Sequence, residues 1–153
     1  MKRFLTFVIA VFLLASFISC GAKTPSAREL LLRFTQAYGA SGILYSPEIA
    51  EGEAGYTDTD FFFSLYGDAE DTEGDYAVFL SSSLDAIYEA AVFVTMDKSS
   101  EIYAERLCRE RIGLLTKMGY GEGAILIKRK NTLFYSTLSD ACLAERIWLE
   151  VDI

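Results

Sequence analysis

Residues 89–96 read EAAVFVTM, and they decide how the rest of the chain is read. The run is almost continuously apolar and rich in β-formers, so it predicts a strand buried on both faces and central to its sheet. Upstream, Tyr76–Leu80 predicts a second strand, with Ser81–Ser83, Leu84 and Asp85 as the connection. Downstream, Asp97 with Ser99 or Ser100 caps a helix over about 100–118. Its stripe is Ala104, Cys108, Ile112 and Leu115, widened by Tyr103, Leu107, Leu114 and Met118. Glu105, Arg106, Arg109, Glu110 and Arg111 read as its solvated face, with Glu105 and Arg109 at the favourable i,i+4 spacing. Gly119 ends it. Gly119-Tyr-Gly-Glu-Gly123 is a helix stop and link, because it follows a helix and precedes a strand, the wrong context for a phosphate cradle.

Further out, Ala124–Arg129 and Thr132–Ser136 form a hairpin through Lys130-Asn131, and Leu138–Glu150 closes the domain as a helix begun at Ser139 or Asp140. On the N-terminal side, Ser26 and Glu29 have capping-box spacing. Ala27, Leu30, Leu31, Phe34 and Tyr38 then follow at helical period, up to Gly39. Asp60–Gly67 reads as a short helix ending at Gly67 or as a strand, since three consecutive aromatics do not discriminate the periods, with the helix preferred. Neighbouring strands joined by short links favour antiparallel pairing. The expected fold is α+β, in two layers, with a mostly antiparallel sheet and the helices packed on one face.

The start of the chain is an address. Met1-Lys2-Arg3 precedes an apolar run, Phe4–Ile18. It is about fifteen residues long, where a bilayer-crossing helix needs about twenty. A basic start, a short apolar stretch and small residues describe a secretory signal peptide. Phe17-Ile18-Ser19-Cys20 followed by Gly21 resembles the bacterial lipoprotein signal, in which a cysteine becomes the lipid-bearing N-terminus. Phe17 stands where Leu is usual. Cleavage after Ala22 and an uncleaved anchor are the competing readings. The expected organisation is a signal peptide at 1–19, a lipidated leader at 20–25 and one α+β domain at 26–153. Two acyl chains hold a protein on a bilayer, because each buried methylene contributes about 0.8 kcal/mol.

Composition narrows the chemistry. Loss of Lys2 and Arg3 takes the formal charge from −8 to −10, which argues against nucleic acid and against adsorption to anionic headgroups. Histidine is absent from the sequence, which removes the commonest general base and transition-metal ligand. No cofactor, no metal and no enzyme activity are expected. Of the three cysteines, Cys20 is assigned to lipid. Cys108 and Cys142 are then either a disulfide, which export permits, or two separate buried thiols.

Between Glu48 and Asp75 lie ten acidic residues, and no Lys or Arg occurs between Arg33 and Lys98. Asp68, Glu70, Asp71, Glu73 and Asp75 are numerous enough for calcium, but counted from Asp68 the position that needs Gly in an EF-hand is Glu73. The aromatics there, Tyr56, Phe61, Phe62, Phe63 and Tyr66, either line a ligand or partner groove or close the core. Asp58, Asp60 and Glu89 are the acids a carboxylate enzyme would have to bring together.

Glu89-Ala-Ala-Val-Phe93, the long helix carrying Arg111, the Ile125–Ile127 strand, Leu133-Phe-Tyr-Ser136 and the Leu65-Tyr66-Gly67 turn together resemble a family of uncharacterised small lipoproteins of Gram-positive anaerobes. The resemblance implies a surface location and an α/β domain of unknown function, and carries over no catalytic residue. The resulting expectation is a bacterial lipoprotein on the outer face of the cell membrane, serving as an interaction or binding module for an envelope protein. The alternative is a solute-binding lipoprotein with an aromatic cleft.

Overall fold

The computed structural model describes residues 24–67, 74–81 and 88–153. Cys20, and with it the signal and most of the leader, lies outside them, as do Asp68, Glu70, Asp71 and Glu73. The described elements are α1 (Ala27–Tyr38), β1 (Gly42–Tyr45), α2 (Thr59–Tyr66), β2 (Gly74–Ser81), β3 (Glu89–Thr95), α3 (Lys98–Lys117), β4 (Ile125–Arg129), β5 (Thr132–Ser136) and α4 (Ala141–Glu150). The strands form one antiparallel sheet in the order β1-β2-β3-β5-β4. The α+β class and the antiparallel sheet are as expected, and β3 is the middle strand. Among the described residues no helix is long and apolar enough to cross a membrane.

The layering differs from the sequence reading. Ala90 and Val92 of β3 face a core built with Leu30, Leu31 and Phe34 of α1 and Trp148 of α4. Ala91 and Phe93, on the other side of the pleat, face Phe62 and Tyr66 of α2 and Ala104, Leu107 and Cys108 of α3. Successive residues of a strand point to opposite faces, so two helices cover each side. The reason lies in β3 itself. A strand apolar on both faces leaves neither able to meet water, and one helical layer cannot shield both.

Local signals set the helix ends. Ser26 Oγ accepts the Glu29 amide at 3.3 Å and Asp97 forms a reciprocal box with Ser100. Asp58 and Asp140 cap α2 and α4. Gly67 takes φ 69° and stops α2 in the left-handed conformation that only glycine enters freely. Strand β1 escapes the sequence reading because GILY is short and half of it is exposed. It is set by its partner: a Cβ on Gly42 would lie 2.6 Å from the Phe79 ring, so the glycine lets that ring lie across the edge strand.

Candidate functional site

The polar chemistry inside this domain gathers around Glu89. Its carboxylate is fully buried at the first position of β3. From α3, Arg111 grips it with two bonds, Nε to Oε1 at 2.8 Å and Nη2 to Oε2 at 2.7 Å. From β5, Tyr135 Oη donates to Oε1 at 2.6 Å. From α2, Tyr66 Oη lies 2.9 Å from Tyr135 Oη. Because an ionised carboxylate only accepts, the Tyr135 proton is committed to Glu89 and Tyr66 donates to Tyr135. Arg111 Nη1 also donates to the Leu65 carbonyl in the last turn of α2, at 3.2 Å. The backbone of Glu89 is held as well, by the Thr137 hydroxyl and amide.

These bonds decide what the cluster can do. Burial penalises the Arg111 charge, and the hydrogen bonds and charge of Glu89 more than offset it, holding the guanidinium above its ordinary pKa. Burial, then the neighbouring negative charge, pushes the Tyr66 phenol well above its ordinary 10.0. Tyr135 is raised for the same first reason, reinforced by Tyr66 and Glu89. Burial likewise drives up the Cys108 thiol beside them. Phenols and thiol keep their protons, and every carboxylate oxygen is occupied. The arrangement ties α2, α3, β3 and β5 together and leaves no activated nucleophile.

Sequence reading placed Arg111 on the solvated face of α3, and the structure corrects this. Arg111 completes the inward series Ala104, Cys108, Arg111, Leu115 at helical spacing, and its side chain is only 10% exposed. The missed signal is a cation at a stripe position opposite an acid that opens a buried strand. Glu105–Arg109 and Arg106–Glu110 do form exposed pairs. Leu114 and Met118, expected to widen the stripe, are exposed instead. The segments around Glu89, Arg111, Tyr135 and Leu65-Tyr66 meet in this cluster.

The other candidates are dispersed. Phe62 and Tyr66 are core residues, Phe61 stacks on Tyr45 at 4.6 Å, and Tyr56 and Phe63 are exposed. The five rings therefore divide between core, sheet and solvent and enclose no common groove. A helix as short as α2 points successive side chains about 100° apart, so a run of three aromatics cannot share one direction. Phe62 borders a cavity of about 30 Å³ between α3 and the ends of β2 and β3, the size of one water. Asp58 caps α2 and Asp60 is exposed in its first turn, while Glu89 is sealed by Arg111, so these acids share no cleft. Cys108 and Cys142 are unpaired: Cys108 is buried under α3, and Cys142 is exposed on α4 across the sheet. Asp75 accepts the Ala27 amide at the start of α1 at 2.5 Å. Among the described residues no group of three or more acids and cysteines is placed to hold a metal. Compared with protein-family models, curated proteins and solved structures, the chain matches none of them.

Proposed function

We propose that this chain is a lipid-anchored domain on the outer face of a bacterial cell membrane, presenting a rigid surface to a protein of the envelope. The observation that carries the reading is the Ser19-Cys20-Gly21 junction. It closes a basic-then-apolar leader and stands six residues before Ser26, where the first helix is capped. A diacyl group on Cys20 tethers the domain without a spanning helix. The chemistry around Glu89 supports a binding module over an enzyme, since its groups are mutually satisfied and their protons are held. Metabolic labelling with an alkynyl fatty acid tests the anchor. Wild type takes up label and fractionates with membranes, and Cys20→Ala loses both. Retention of label in Cys20→Ala refutes it. Crosslinking in intact cells, with Cys20→Ala as the control, tests the envelope partner.

A further inference from the structure

The address of the chain and the topology of the sheet together select which end of the domain meets the bilayer. Ala27 is fixed to Asp75 at the start of β2. In the sheet, Asp75 lies beside Val94, and Val94 beside Thr132 at the start of β5. The amide of Thr95 donates to the Asn131 carbonyl in the β4–β5 turn. One pole therefore carries the entry of the leader, Met96, the start of α3 and the turn at Lys130. From Cys20 to Ser26 the chain spans at most about 20 Å when fully extended. The opposite pole, reached along the twenty residues of α3, is about 30 Å away.

This pole has the chemistry of a headgroup contact. Lys98 and Lys128 both bind Glu101, which is 13% exposed beneath them while their own side chains are 72% and 44% exposed. Two ammonium groups thus cover one sheltered carboxylate. Lys130 is exposed at the turn between β4 and β5, where its ammonium donates to the Ile153 carbonyl. Met96, at 75%, is the most exposed of the large apolar side chains described. Of the acids at this pole, Asp97 caps α3 between Met96 and Lys98 with its carboxylate turned to the Ser100 amide and hydroxyl. Glu29, Glu48 and Asp75 flank the leader on the β2 side, three strand spacings or about 14 Å from β4. The mature charge of −10 pushes the rest of the domain away from an anionic surface and favours approach through the lysines.

We infer that the Lys98–Lys128–Lys130 pole with Met96 is the membrane-facing surface, seated on the anionic bilayer that holds Cys20, with the Met118 pole turned outward. This rests on the lipid-anchor reading. The test uses the mature lipidated protein with Cys142→Ser, labelled through Met96→Cys or Met118→Cys with an environment-sensitive fluorophore. It is reconstituted in vesicles of phosphatidylcholine and phosphatidylglycerol containing a headgroup nitroxide. Quenching is expected to be strong at position 96 and weak at 118. Lys98→Gln and Lys130→Gln should each lower the seated-to-free ratio about fivefold, since a lysine near such a surface is worth about 1 kcal/mol, and added salt should act in the same direction. Equal quenching at the two positions, or indifference to both lysines, on a protein whose diacyl mass is confirmed overturns the orientation alone. Absence of that mass overturns the anchor and the orientation together.

Discussion

The two sides of the sheet solve one burial problem by different means. Under α1 and α4 the filling is apolar and aromatic, with Phe134 stacked on Trp148 at 4.2 Å and Phe34 edge-on to Phe134 at 4.7 Å. Even the Trp148 indole N–H meets no acceptor among the described residues. Under α2 and α3 the layer holds an ion pair and two phenols, joined in one chain of hydrogen bonds. Apolar packing is tolerant, since similar volumes interchange at modest cost. A buried ion pair is intolerant, because removing either partner strands a charge. The comparison teaches that one side supplies burial and the other fixes which helix sits where.

The sharpest way to break the difference is Arg111→Met, which strips Glu89 of its cation and leaves it the Tyr135 hydroxyl alone. We expect a loss of about 3–5 kcal/mol, read from urea midpoints, and recovery of most of it in the Glu89→Met/Arg111→Met double variant. A double variant no more stable than Arg111→Met alone would show that more than charge compensation is lost. On the apolar side, Leu31→Ala should cost about 2–5 kcal/mol. Combined with Tyr135→Phe across the sheet, the two losses should add within about 0.5 kcal/mol, because they share no partner. Tyr135→Phe alone removes a donor to a charged group and should cost about 1.5–3 kcal/mol. Tyr66→Phe leaves the Tyr135 proton on Glu89, so its cost should be smaller, about 0.5–1.5 kcal/mol. If Tyr66→Phe proved the costlier of the two, the assigned direction of the hydrogen-bond chain would be wrong.

The smallest effect concerns Asp75, near the start of β2. Burial first, then Glu48 and Glu29, raise its pKa above the ordinary 3.8, against the pull of the Ala27 amide. The folded state thus holds this proton more tightly than the unfolded state. The contribution to stability is full below pH 3.8 and is lost as pH rises through the raised value. Asp75→Asn should therefore gain relative to wild type as pH rises through that window, with urea midpoints compared across it. A difference independent of pH would count against the burial argument.

Much of the fold was legible because it is written in short-range patterns. The β3 run, the α1 stripe, the cap at Asp97 and the β4–β5 hairpin each depend on residues within a turn or two of one another. The candidate site was legible only in part. Glu89 was noticed as an acid, whereas Arg111 was assigned to water by its neighbours in sequence, and Phe61, Phe62 and Phe63 were read together, as groove or as core. What no local pattern carries is direction across the sheet. Strand β1 shows the same limit, since four half-exposed residues become a strand only when β2 offers its edge.

By itself, then, the sequence determined the helices and every strand but β1, the acidic balance, the lack of imidazole chemistry and the basic-then-apolar run before Cys20, since these are properties of composition and of neighbours along the chain. Tertiary structure alone decided that helices cover both faces, that Cys108 and Cys142 stand on opposite sides, and that Glu89 meets Arg111. Their contact joins residues 22 apart. A buried charge is tolerable only where its partner arrives, and arrival is a property of the folded sheet.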